Sequence, residues 1–452
     1  MPINKLGHPI LVLSGLCCAS LGGLLAIIAS AHLPAFAGSA SHCATRPAKP
    51  KASSELSYGA VHFANSCSAA VQPALQLEVA RLHSFESAVS RFEDIATRDP
   101  GCAIAWWGAA MSARGNPLGG AMAAADIMAG RALVDKAVAL GTGTPREKAL
   151  IHAMRVYYQD FPDQIARTRA YAEVMEAAHV ADPADPDVAA LDGLAIIEGI
   201  DLSDKTYARQ KRAGAILEAV MVAHPDHPGA PHYLIHAYDY TALAPEAVRA
   251  ADVYPALATA SSHAQHMPSH IWSMLGMWDK SIEANRRSGA LIDPDAGQSA
   301  VRGDIVSAHA FDFIAYARLQ RGQDKQVAAD LTALKADNNA PVIVQVRYPL
   351  ERGDWIGSAS VPVPTGNPFD VALARFTRAY GAARSGDVRN AEIELKALQA
   401  IRPLVHDAQG EYWAVFVDIY AKTVNAWLTR AKGRDSEALT LMQQAAAMDD
   451  GH

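Results

Sequence analysis

The chain has 452 residues, half of them apolar but only 7% aromatic, and a formal net charge of −7. That charge, with no basic stripe to neutralise phosphates, excludes a nucleic-acid binder. The apolar share is dominated by alanine and poor in β-branched residues, which favours close-packed helices over sheets.

Lys5 precedes an apolar run from Ile10 to Ala31, and Ala35-Phe36-Ala37 follows. A basic start, an apolar run and a small-x-small site are what a signal peptidase cuts, so residues 1–37 read as a signal peptide. The run is also long enough to span a bilayer, so membrane attachment enters only if it stays uncleaved. Either version exports the body, to a periplasm or beyond. Residues 38–57, rich in Pro, Lys and Ser from Ala44 onward, read as a flexible leader. Three cysteines lie beyond the cut: Cys43, Cys67 and Cys102. In an oxidising compartment Cys67 is expected to pair with Cys102, with unpaired buried thiols as the alternative.

From residue 58 a pattern recurs in which a turn residue is followed by apolar or small residues two, five, nine and twelve positions on. Gly386 leads to Val388, Ala391, Leu395 and Leu398; Gly322, Gly433 and Gly276 begin similar frames. Two frames lack the glycine: Phe85, Ala88, Phe92, Ile95 and Ala213, Leu217, Val220. This is the signature of paired helices stacked as tetratricopeptide-like repeats. The glycines are spaced irregularly, so inserts interrupt the period. The expected fold is an all-α, tetratricopeptide-like α-solenoid: residues 58–360 form a solenoid with a histidine-rich concave groove, and 361–452 further helices of the same type. The aromatics Trp106, Trp107, Tyr380 and Trp427 read equally as packing or as ligand surface.

Eight of the 17 histidines lie between His224 and His309. His232 and His236 are four apart, as are His266 and His270, which stacks two imidazoles on one helix face. Pro268 interrupts the second pair, so a helix is expected to begin there. The two pairs are 34 residues apart and so occupy equivalent slots in successive repeats. His263 and His309 share a slot three residues before the second pair and its successor. First helices line the concave side of a stacked solenoid, so these six histidines are expected to converge in one groove as ligands for Zn²⁺ or Cu²⁺. Because two imidazoles seldom fill a site, His236 and His270 are expected to share one ion. Asp239, Asp312 and Asn285 are candidate partners that orient the ligands, and His83 is a further candidate from a turn.

Several stretches resemble a broad family of exported bacterial tetratricopeptide-repeat proteins of largely unassigned function. They include His62-Phe63 through Cys67, Leu82-His83-Ser84-Phe85, Asp99-Pro100-Gly101-Cys102, the run from His227 to Asp239, and His263-Ala264-Gln265-His266-Met267-Pro268-Ser269-His270. Arg347 to Gly353 and Leu373 to Gly386 also match. The resemblance implies that the cysteine pattern and the histidine cluster are family features, and that relatives continue past His452. It supplies no reaction. Three functions are therefore open: a metal-binding solenoid, a metal-dependent enzyme (a hydrolase or a copper oxidoreductase), and a metal-free scaffold that takes a peptide or small molecule in its groove.

Overall fold

The computed structural model of the chain describes residues 56–201, 204–291, 308–336 and 340–451. The expected signal peptide, most of the expected leader and Cys43 lie outside these residues. Among the described residues there is no strand, and no helix is long and apolar enough to cross a membrane.

The helices pack in chain order, each against the next, as in a solenoid. The buried apolar residues accordingly fall into successive clusters along the chain rather than one central core. Stacked helix pairs bury only the faces they share with their neighbours, which is why this architecture grows lengthwise.

The repeat frames show how the helices are cut. Gly386 takes φ +84 and closes the helix Pro368–Ser385, after which Asp387 caps Val388–Gln409 by accepting from Asn390 N. A left-handed turn residue is cheap only for glycine. Gly276, Gly322 and Gly433 also have positive φ, and each is followed two residues later by a helix. The packing positions of these frames are buried: Ala391, Leu395 and Leu398 in one, Val327, Leu331 and Leu334 in another. Gly353, φ +65, opens a further unit before the short helix Trp355–Ala359, which the sequence frames did not include.

Cys67 and Cys102 sit at disulfide distance, with Cα atoms 4.9 Å apart. Nearby, Trp107 is buried and stacks on Phe63 at 5.4 Å. Trp427 packs on one side of the Arg384 guanidinium and Trp355 on the other, both at 4.0 Å. Trp107 and Trp427 thus serve packing.

Candidate metal centre

Four helical segments carry the six histidines. The helix Gly229–Ala237 is buried along its whole length and presents His232 and His236 one turn apart. Ser262–His266 and Pro268–Met274 run on from one another through Met267, which keeps helical dihedrals. Pro268 stands at the first turn of the second segment, where its missing N–H costs nothing, so His266 and His270 keep their one-turn spacing. The helix Ala308–Gln320 carries His309.

The imidazoles sort into two trios. Nitrogens of His232, His236 and His263 lie within 4.8 Å of one another, and so do those of His266, His270 and His309. His232 Nε2 is 2.9 Å from His263 Nε2 and 3.1 Å from His236 Nε2. In the second trio His266 Nε2 is 3.0 Å from His270 Nε2. Each four-apart pair is thus completed by a histidine from the following segment. His263 and His309 stand thirteen residues before Gly276 and Gly322 respectively, so the two trios are built by one rule. His236 and His270, expected to share an ion, fall in different trios. Thirty-four residues set pairs on neighbouring helices, and the slot three residues earlier reaches back across the gap first.

Four of the six, His232, His236, His266 and His270, are buried, whereas His263 and His309 are partly exposed. The expected groove wall is therefore covered. Tyr254, from the helix Val248–Leu257, stacks on His232 with ring centroids 4.8 Å apart. Phe85 lies against His232, His236 and His263 at 4.5 to 5.7 Å. Phe313 does the same for His266, His270 and His309 at 4.9 to 5.3 Å.

The other ring nitrogen settles the tautomers. A carbonyl oxygen only accepts, so His232 Nδ1 donates to the His83 carbonyl, 2.5 Å away, and leaves Nε2 with its lone pair. His270 Nδ1 donates to Asp239 Oδ2 at 3.0 Å. His266 Nδ1 donates to Asn285 Oδ1 at 2.7 Å, and Asn285 Nδ2 donates to the Ser281 carbonyl, which sets the amide's orientation. His266 and His270 consequently face each other through their Nε2 atoms, with each Nδ1 held by a partner on the far side. Burial, with repulsion from neighbouring imidazoles, holds His232, His236, His263 and His266 well below the ordinary histidine pKa, and His309 is pushed down to about 4. Neutral imidazoles are the form that binds metal.

Asp239 lies just past the end of its helix, on His270. Asp312 is instead gripped by Arg347, whose Nε and second amino nitrogen lie 2.7 and 3.0 Å from its carboxylate oxygens. The His83 side chain does not join a trio: its Nε2 donates to Asp187 Oδ1 at 3.2 Å and its Nδ1 accepts from Tyr233 at 3.0 Å. His227 completes this third group. Its Nδ1 accepts from Ala230 N and its Nε2 donates to Asp187 Oδ1 at 3.3 Å. Burial opposes charge on Asp187, but the hydrogen bonds from His227 and His83 hold its carboxyl well below the usual range. His83, Asp187 and His227 are close enough to hold an ion, yet both imidazoles already spend their protons on the carboxylate. Both imidazoles thus hold Asp187 Oδ1, while Oδ2 has the Arg146 guanidinium 3.6 Å away. Gly229 leaves room for this group: a Cβ there would come within 2.4 Å of His83 Nδ1.

Residues 83–86 form a clamp on the first trio that sequence reasoning saw only in part. The His83 carbonyl orients His232, Ser84 Oγ accepts from Tyr254 at 3.1 Å, and Phe85 covers the imidazoles. Glu86 Oε1 accepts from His263 N at 3.0 Å and from Ser261 Oγ at 2.9 Å, capping the segment that carries His263. Phe85 adopts φ 57, an uncommon conformation for a bulky residue. The residue types gave no signal of it.

The chain is thus an all-α solenoid of helix–turn–helix repeats with histidine groups that can hold metal ions. No protein-family model matches it, and a comparison with curated proteins finds no relative. Among solved structures it is similar to one titled human IFIT1 dimer with m7Gppp-AAAA, with a TM-score of 0.34 and 12% identity over 81% of this chain and 94% of that one.

Proposed function

We propose that the protein is an exported solenoid that binds two divalent transition-metal ions, one in each histidine trio. The observation that carries this reading is the pair His266 and His270. Their Nε2 atoms lie 3.0 Å apart while both Nδ1 atoms are engaged elsewhere, so the two Nε2 atoms can converge on one cation. Zn–N bonds of about 2.0–2.1 Å at tetrahedral angles set neighbouring nitrogens roughly 3.3 Å apart, close to the spacings in both trios. Purely imidazole donor sets suit Zn²⁺ and Cu²⁺ and disfavour Mg²⁺ and Ca²⁺, which take oxygen ligands. Three protein ligands leave a coordination position open, the arrangement of catalytic rather than structural sites, which keeps a metal-dependent enzyme as the second reading.

Calorimetric titration of metal-free protein with Zn²⁺ and with Cu²⁺ tests the proposal. Two ions per chain are expected, falling to one in His266→Ala. Absence of specific binding hands the fold to a metal-free scaffold for a peptide or small molecule. Export is tested by N-terminal sequencing of protein recovered outside the cytoplasm, which is expected to start after Ala37.

A further inference from the structure

We propose that the two trios form one binuclear centre in which a small anion bridges the two metal ions; this rests on the reading that each trio holds an ion. The order of groups along the solenoid is the first argument. Phe85 packs on the first trio and Phe313 on the second, so apolar rings flank the histidines at the two outer ends. Between the ends the trios meet directly: His263 and His266, one from each, are three residues apart with ring centroids 6.5 Å apart. The rings that meet between the trios are therefore imidazoles, not apolar side chains. The partly exposed members, one in each trio, are His263 and His309, which occupy equivalent slots in successive repeats.

Charge is the second argument. Two divalent ions bring four positive charges into a set of six neutral donors, with four of the imidazoles buried. Among the described residues no carboxylate belongs to either trio. Asp239 is engaged by His270 and Asp312 by Arg347. Buried charge needs a partner, and among the described residues the open coordination positions are where one can bind. An anion that binds both ions at once neutralises more charge than one bound to either alone. Two-metal sites that hold a shared oxygen ligand work at about 3.5–4 Å, which limits the bridge to a single donor atom, as in hydroxide or in azide bound end-on through one nitrogen.

The test uses the metal-free chain, Cu²⁺ and sodium azide, read by electron paramagnetic resonance and metal analysis. The expected result is a paramagnetic signal that grows with the first equivalent of Cu²⁺ and is lost as the second binds, because a bridged pair couples its spins. Azide is expected to bind once per two coppers and to change the optical spectrum only of the doubly loaded protein. His309→Ala and, independently, His263→Ala should each bind one copper whose signal persists, with helicity checked by circular dichroism. Two bound coppers with a full, undiminished signal would overturn the binuclear centre while leaving the two-ion reading intact. No copper bound at all would remove both.

Discussion

Asp239 Oδ2 accepts from His270 Nδ1 at 3.0 Å, whereas in the first trio the Nδ1 proton of His232 goes to a neutral carbonyl. A carboxylate makes its imidazole the more basic ligand, and losing such a partner typically costs about 10–100-fold in metal affinity. The second trio is therefore expected to fill first. Asp239→Asn should weaken that step by about 10–100-fold and leave the other unchanged. Calorimetry resolving the two binding steps checks it; an equal loss at both would refute the asymmetry.

Membership of the trios predicts which ligand changes combine independently. His236→Ala and His270→Ala touch different ions, so each should remove one, and the double variant both. His232→Ala and His236→Ala touch the same ion, so the second change should add little to the first. This reverses the expectation from the 34-residue register alone, in which His236 and His270 shared an ion. Stoichiometry by elemental analysis of the three single and two double variants decides between them.

Cys67 and Cys102 are 35 positions apart and their Cα atoms 4.9 Å. Closing a loop of that size limits the unfolded chain, so reduction should cost about 2–4 kcal/mol of stability. Urea unfolding with and without reductant measures this, and peptide mass mapping of exported protein should find the two residues linked.

Burial pushes the Glu351 carboxyl up from 4.5 to about 7, against the opposing pull of Arg347. Between those values the folded protein holds a proton that the unfolded chain has released, so this group's contribution to stability falls as pH rises through the window. Above pH 7 the full penalty applies, about 3 kcal/mol for a shift of this size. Glu351→Gln should therefore stabilise metal-free protein at pH 8 and make little difference near pH 5. Unfolding of both proteins at the two pH values gives the comparison; an equal gain at both would show that ionisation is not the cause.

The repeat frames were legible because they are local. A glycine at a left-handed turn and buried residues at helical spacing need only neighbours in sequence, and Gly386 with Ala391, Leu395 and Leu398 shows both. The six histidines were legible for the same reason: a one-turn spacing repeated after 34 residues marks equivalent faces. The clamp at residues 83–86 was not. Its role depends on a backbone carbonyl meeting His232 from 149 positions away and on Phe85 holding an uncommon dihedral. Tertiary packing decides both.

The sequence by itself thus determined that the chain is helical and repetitive, and which histidines share a face. It carried no information on how helices from successive repeats are offset, because repeat register sets the slot and not the distance across to the next helix. Only the folded stack decided that His263 closes on His232 and His236, that His309 joins His266 and His270, and that Asp312 turns to Arg347 instead. It also decided the burial, since Phe85 and Tyr254 reach the histidines from segments far from them in sequence. Contacts of the same kind hold the Nδ1 atoms of His232, His266 and His270, and so aim their Nε2 atoms into the site.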